Sequence, residues 1–181
     1  MTNAGAPESP AGLVVRDAGP GERDAVRALT LAAYAEFARV MAPEAWALLD
    51  RAIRVALDAR GVAECIVAER GGRIVGSVFL FPPASDAYTG LAEPPQWPEL
   101  RLLAVAAEAR GLGVGEALVR ECARRARASG AAALGLHTSA SMATARRMYA
   151  RLGFVRAPEY DFRPDGAELV EGYRLRLADA V

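Results

Sequence analysis

The chain has 181 residues, of which 52% are hydrophobic and 24% charged, the proportions of an ordinary globular protein. Its 22 basic and 22 acidic residues cancel, so no electrostatic footprint favours nucleic acid or an anionic membrane surface. The basic residues are all arginines, and the absence of lysine excludes any mechanism that needs a catalytic or phosphate-binding lysine.

The sequence offers neither a zinc site nor a membrane span. It has two cysteines and one histidine with no CxxC spacing, and no apolar run approaches the roughly 20 residues of a transmembrane helix. No basic segment followed by an apolar one opens the chain, so we expect no secretory signal and a cytoplasmic protein. Residues 1–11 are small, polar and proline-containing. They are expected to form a flexible tail, which leaves residues 12–181 as a single domain.

Hydrophobic periodicity and the positions of glycine and proline predict alternating strands and helices. In chain order, the pattern predicts a strand at 13–16, helices at 22–39 and 43–59, strands at 63–68, 73–81 and 100–105, a helix at 113–129, a strand at 132–137, a helix at 141–151, and strands at 154–155 and 172–177. Gly71-Gly72 between two apolar runs is a strong hairpin signal. An antiparallel meander that leads into a strand–helix–strand unit implies an α/β protein with a mixed, mostly antiparallel sheet and helices on both faces.

A glycine-rich segment, RGLGVG at 110–115, stands at the start of the third predicted helix. Its glycines let the backbone turn tightly and approach a ligand without side-chain clashes. The unpaired N–H groups of a helix start, together with the positive end of the helix dipole, favour an anion. A phosphate group is therefore the expected ligand of this segment.

Two common phosphate-binding patterns fit the segment less well. A Walker A loop requires lysine, which the chain lacks. A dinucleotide fingerprint requires GxGxxG directly after a strand, whereas here the third glycine comes one residue early and five residues separate the strand from the glycines. Nucleotide binding nevertheless stays open as an alternative and predicts stabilisation by ATP or NAD.

The pattern RxxGxG at 110–115, after a strand that ends in LAV, resembles the R/Q-x-x-G-x-G/A signature of the GNAT acyltransferases. Further along, AxxxYxxxGF at 145–154 resembles a second GNAT motif. The likeness is close from about residue 99 to residue 155 and looser in the flanking elements. It implies a GNAT acyl-CoA acyltransferase fold for the single domain. It also implies an acetyl-CoA-dependent N-acetyltransferase that transfers the acetyl group directly to a primary amine in a ternary complex.

The resemblance implies which residues hold the coenzyme. The strand at 100–105 would diverge from the strand at 132–137, and the pantetheine arm would lie between them and pair with the backbone of Leu103 and Val105. The Val105 N–H would face the thioester carbonyl. The pyrophosphate would be held by backbone amides of the glycine-rich segment, namely Arg110, Gly111, Leu112, Gly113, Val114, Gly115 and Glu116. No metal ion is implied.

The resemblance also implies catalytic roles. Tyr149 would be the general acid that protonates the departing thiolate, since a phenol with a pKa of about 10 keeps its proton at neutral pH; its helical spacing also suits a core residue. Glu99 would be the general base, as in some relatives; ordered water as the base and a solvated carboxylate at the strand end are the alternatives. Many relatives carry a coenzyme-binding Asn where this chain has Met142, so that contact is not expected.

The acceptor is expected opposite the coenzyme, between the first two helices and the loops at 82–98 and 157–171. Aromatic side chains would hold an ammonium group by cation–π contact. The residues predicted to bind the acceptor are Tyr34, Phe37, Trp97, His137 and Tyr160, with Glu36, Tyr88 and Asp161 as further candidates. The expected partner is a small-molecule or peptide amine rather than nucleic acid or a membrane. The sequence leaves open whether the protein forms a homodimer and whether it transfers an acyl group other than acetyl.

A second class of function also stays open, a catalytically idle GNAT-fold module that binds acetyl-CoA as a sensor or regulator.

Overall fold

The computed structural model describes residues 12–59, 61, 63–85, 94–165 and 167–177, and the tail predicted at 1–11 lies outside them. The strands are β1 (Leu13–Asp17), β2 (Glu64–Arg70), β3 (Arg73–Phe81), β4 (Glu99–Val105), β5 (Ala133–Ser139), β6 (Val155–Arg156) and β7 (Val170–Arg176). The helices are α1 (Arg23–Tyr34), α2 (Pro43–Asp58), α3 (Val114–Ala128) and α4 (Ala143–Arg151), with short 3-10 segments at Ala35–Arg39, Ala107–Ala109 and Pro158–Tyr160. Across the described ranges, each helix is too short or too polar to cross a bilayer.

The described strands form one sheet in the order β1-β2-β3-β4-β5-β7-β6. Neighbouring strands are antiparallel except β4 and β5, which run parallel. The β2–β3 turn contains Gly71 and Gly72 with φ angles of 58° and 76°, which glycine adopts without steric cost. The predicted mixed, mostly antiparallel sheet and the Gly-Gly hairpin are therefore confirmed.

Helices cover both faces of the sheet, as two neighbouring residues of β3 show. Consecutive residues of a strand point to opposite faces. Gly76 lies against α3, where an added Cβ would stand 2.6 Å from Cγ1 of Val114. The next residue, Ser77, reaches α1, and its hydroxyl lies 3.3 Å from that of Thr30. α3 and α1 therefore pack on opposite faces, with a continuous buried apolar core on the α3 side.

Some element boundaries differ from the predicted ones. The helix predicted at 22–39 ends as an α-helix at Tyr34 and continues as a tighter 3-10 segment. β5 extends two residues past its predicted end because β7 pairs with it as far as Ser139 opposite Val170. β7 begins two residues before the predicted residue 172 for the same reason. A partner strand distant in sequence cannot be seen in a local window of residues.

The packing at Gly76 predicts that Gly76→Ala destabilises the protein. The new methyl group would meet Cγ1 of Val114 at 2.6 Å and Cδ1 of Leu118 at 3.0 Å, and overpacking of this kind costs about 1–3 kcal/mol. Gly21→Ala is the matched control, because nothing lies within 4 Å of its Cβ position. Denaturant unfolding measures both variants, and equal stabilities would contradict the close α3–β3 contact.

Candidate active site

β4 and β5 meet at one point and then part. Within the described chain their backbone pairing is confined to Glu99 opposite Gly135, where the Gly135 N–H donates to the Pro98 carbonyl at 2.9 Å. On its other side β4 stays paired with β3 as far as Val105 opposite Gly76. Beyond Glu99, the two strands therefore border an open slot of about 650 Å³.

A bulge bends β4 along this slot. Leu102 has a φ angle of 54°, and the β3–β4 register shifts between Ser77 and Phe79. A leucine rarely adopts this left-handed conformation because its Cβ crowds the backbone, and a bulge re-aims the strand that contains it. Every residue from 100 to 105 borders the slot, so the bend presents the whole second part of β4 to a ligand.

The glycine-rich segment closes one end of the slot. Gly111 and Gly113 have φ angles of 75° and 77°, and α3 begins directly afterwards at Val114. Leu112 is 43% exposed and lies outside the slot lining, whereas the other residues predicted to hold the pyrophosphate border the slot. The first amides of α3, which have no carbonyl partner within the helix, therefore open onto this end.

Arg110 lies at the same end of the slot and pairs with a residue of its opposite wall. Its Nη1 is 2.6 Å from Oε2 of Glu36 in the 3-10 segment after α1. The side chain of Arg110 is 42% exposed and that of Glu36 is 51% exposed, so water screens the pair and its net contribution to stability is small. Because the pair is weak, Arg110 can readily leave Glu36 and bind another anion.

Tyr149 is both a core residue and a slot residue. The side chain is 5% exposed, and its ring packs against Phe154 with 5.6 Å between the ring centroids. The same side chain borders the slot. Burial raises the pKa of Tyr149 above the usual range of a tyrosine, so the phenol keeps its proton across the neutral range.

Glu99 is buried, at 1% exposed, and is not a solvated strand-end carboxylate. Its Oε1 lies 2.7 Å from Nδ1 of His137, and its Oε2 accepts a hydrogen bond from Nη2 of Arg101 at 2.8 Å. Nε2 of His137 lies 2.9 Å from the Tyr160 carbonyl oxygen, and because a carbonyl can only accept, Nε2 donates. Burial by itself raises the pKa of Glu99, but the hydrogen bonds from His137 and Arg101 outweigh it and hold the pKa at about 2.

The predicted acceptor-binding residues divide into two groups. Tyr34 and Phe37, whose ring centroids are 5.8 Å apart, border the slot together with His137. Trp97 and Tyr160 lie outside the slot lining and pack on each other with 5.1 Å between ring centroids. The structure therefore brings the first group, but not the second, to the space beside β4.

The further acceptor candidates also separate. Glu36 borders the slot, whereas Asp161 is bound by the guanidinium of Arg156 at 2.8 and 2.7 Å. Tyr88 lies outside the described residues. Among the described residues, no group of three or more His, Cys, Asp or Glu side chains is close enough to hold a metal ion.

The slot residues on α4 other than Tyr149 were missed from the sequence, and the polar ones among them are Thr144, Arg147 and Arg151. Together with Met148, they recur at intervals of three and four residues, which places them on one side of the helix. Met148 touches the start of α3, since an added Cβ on Gly115 would stand 3.3 Å from its Sδ. That helical spacing was the available signal, but the motif directs attention to Tyr149 alone.

Comparison with known proteins places this geometry in a family. The family model described as acetyltransferase (GNAT) family matches residues 27–154. A mycothiol acetyltransferase from Cellulomonas flavigena is 32% identical over 154 residues, which cover 84% of this chain and 43% of that protein. The chain belongs to the GNAT acetyltransferase family, and it spans less than half the length of this relative.

Solved structures share the fold. An acetyltransferase of the GNAT family from Staphylococcus aureus Mu50 matches with a TM-score of 0.68 and 14% identity, over 91% of this chain and 99% of that one. A GNAT family acetyltransferase from Brucella melitensis in complex with acetyl-CoA matches with a TM-score of 0.58 and 21% identity, over 93% of this chain and 90% of that one. The predicted GNAT fold is confirmed.

The surroundings of Glu99 predict a pH-dependent loss of stability in Glu99→Gln. Its folded pKa of about 2 lies below the ordinary value of 4.5, so the carboxylate stabilises the fold above about pH 4.5 and this contribution is lost as the pH falls towards 2. The substitution should lower the free energy of unfolding at pH 7 by about 3 kcal/mol, and the deficit should shrink at pH 3. Urea unfolding at both pH values measures it.

Glu108→Gln is the control for this pH series, because the Glu108 side chain is 65% exposed and lies 3.8 Å from its arginine partner. Its stability should match that of the unsubstituted protein within about 0.5 kcal/mol. A Glu99→Gln deficit that stays constant between pH 7 and pH 3 would contradict the depressed pKa.

Proposed function

We propose that this protein is an acetyl-CoA-dependent N-acetyltransferase that moves the acetyl group directly to a primary amine in a ternary complex. The observation that carries the proposal is the slot between β4 and β5, which is bordered by Tyr149 and by the glycine-rich start of α3. A long ligand with a reactive group at one end and phosphates at the other matches this arrangement.

The coenzyme pyrophosphate would lie at the start of α3. Gly111 and Gly113 have no side chain to stand between the backbone and a ligand, and the helix dipole favours each anionic group there by about 0.3–1 kcal/mol. Arg110 would exchange Glu36 for a phosphate. Leu103 and Val105 would offer backbone groups to the pantetheine arm, because β4 is not paired with β5 at these residues.

Tyr149 and a backbone N–H of β4 would act on the two atoms whose charge changes during transfer. As the amine nitrogen attacks the thioester carbonyl, the N–H of Leu103 or Val105, the two residues after the bulge whose amides face away from β3, would donate to its oxygen, an interaction worth about 3–4 kcal/mol in other acyl transfers. When the C–S bond breaks, the sulfur leaves with the bonding electron pair and Tyr149 would supply its proton. The proton given up by the amine, relayed through water, would restore the phenol.

Glu99 as the general base remains a hypothesis. A carboxylate whose pKa is held at about 2 is a weak proton acceptor, and Glu99 does not itself border the slot. We therefore favour water as the immediate base, with Glu99 holding the orientation of His137, which does border the slot. The Glu99–His137 pair would then position the acceptor side of the site.

A small-molecule or peptide amine is the proposed acceptor. Tyr34 and Phe37 give one wall of the slot an aromatic surface, which can hold an ammonium group against a ring face. Glu36 borders the same wall but is paired with Arg110 at the glycine-rich end, so we assign it no role in holding the acceptor. The likeness to a mycothiol acetyltransferase supports acetyl transfer.

A thermal-shift series tests the proposed coenzyme. A ligand present at about 100 times its Kd stabilises the folded protein by about 2.7 kcal/mol, which corresponds to a rise in Tm of roughly 5–10 °C for a chain of this size. Acetyl-CoA and CoA should produce this rise, whereas ATP and NAD should not. A rise with ATP or NAD alone would indicate a nucleotide-binding protein instead.

The role of Tyr149 predicts a selective loss of turnover in Tyr149→Phe. Loss of the proton donor should lower kcat about 10²- to 10⁴-fold, with the Kd of acetyl-CoA changed less than about threefold, because the buried ring is retained. Steady-state assays with an amine panel and calorimetric titration measure the two quantities.

Tyr173→Phe is the matched control for that comparison. The Tyr173 hydroxyl donates to Glu171 at 2.9 Å on β7 and lies outside the slot lining, so kcat should be retained. Full activity in Tyr149→Phe would remove Tyr149 from the mechanism. Tight acetyl-CoA binding without turnover of any amine would favour the idle sensor or regulatory module.

A further inference from the structure

Thr138 places a hydroxyl in the wall of the slot without a hydrogen-bond partner in the protein. The residue is 4% exposed, it borders the slot, and its Oγ1 has no donor or acceptor within reach in the described chain. Other buried hydroxyls of the sheet region are paired: that of Thr30 donates to the Val26 carbonyl at 2.8 Å and lies 3.3 Å from that of Ser77. Thr138 is therefore an exception that calls for a partner.

The side chain of Thr138 faces the same side of the sheet as Tyr149. Side chains alternate along β5, and Leu134 and Leu136 belong to the buried core that also contains Tyr149. Thr138 comes two residues after Leu136, so its side chain points to the same face of the sheet. The hydroxyls of Thr138 on β5 and Tyr149 on α4, which can both donate a hydrogen bond, therefore border the same side of the slot.

The position of Thr138 along the slot is set by the strand junction. It stands three residues beyond Gly135, the β5 residue paired with Glu99, which is about 10 Å along the strand. Three residues beyond Glu99 along β4, the chain reaches the bulge at Leu102. Thr138 and Leu102 therefore lie at the same distance from the strand junction. The glycine-rich segment lies further along the slot, because it follows the end of β4.

We propose, on the basis of the proposed function, that the Thr138 hydroxyl donates a hydrogen bond to the sulfur of the bound coenzyme. The hydroxyl keeps its own proton throughout the transfer. When the acyl–sulfur bond breaks, the sulfur takes the electron pair and receives its proton from Tyr149. The hydrogen bond from Thr138 strengthens while the sulfur carries negative charge. The apolar side chain of Met142, which also borders the slot, supplies no such donor.

The test compares CoA with desulfo-CoA, which lacks the sulfur, in Thr138→Val and Thr138→Ser. Calorimetric titration should show that the unsubstituted protein and Thr138→Ser prefer CoA over desulfo-CoA by a similar factor. In Thr138→Val this preference should fall by about fivefold, the effect of one hydrogen bond. The Tm of Thr138→Val without ligand should not fall, because valine fills the same volume without a buried unpaired hydroxyl.

The outcomes separate the two proposals. An unchanged preference for CoA in Thr138→Val overturns the role of Thr138, and with a lowered Tm it assigns the hydroxyl to the fold instead. If the unsubstituted protein binds neither CoA nor acetyl-CoA, the proposed function itself fails. A reduced preference in Thr138→Val with an unchanged Tm supports the contact to sulfur.

Discussion

The junction of β4 and β5 is the constraint on which the site depends. Two parallel strands ordinarily pair along their length, but here the pairing is confined, in the described chain, to Glu99 opposite Gly135. β3 holds β4 on one side and β7 holds β5 on the other, so the two strands diverge without leaving the sheet. The slot is therefore a consequence of where strand pairing stops, and the glycine-rich segment lies at its end because it follows β4 directly.

Buried charge fixes this junction. Through His137, the Glu99 carboxylate joins β4 to β5, and His137 in turn contacts the Tyr160 carbonyl of the last 3-10 segment. Arg101 supplies a second donor from β4 itself. Burying charged groups is costly, and separating such partners leaves a charge unpaired inside the protein. The cluster therefore contributes a defined geometry at the junction more than net stability, and a defined geometry is what acyl transfer requires.

Local signals account for what could be predicted from the sequence. The Gly71-Gly72 hairpin and the RxxGxG helix start depend on neighbours within a few residues, and the structure has both elements. The burial of Glu99 could not be predicted, because its partner His137 is 38 residues away in sequence. Trp97 was assigned to the acceptor site from its residue type and its place in the loop at 82–98, whereas its position against Tyr160 depends on how two distant loops pack.

Hydrogen–deuterium exchange with and without acetyl-CoA tests most directly whether the diverging strands form an acyl-coenzyme site. Amides in peptides covering residues 100–105 and 111–117 should exchange more slowly when acetyl-CoA is present. Peptides covering β2, which is paired with a strand on each side, should be unaffected. Protection that appears elsewhere, or no protection of β4 and the start of α3 at saturating acetyl-CoA, would contradict the account.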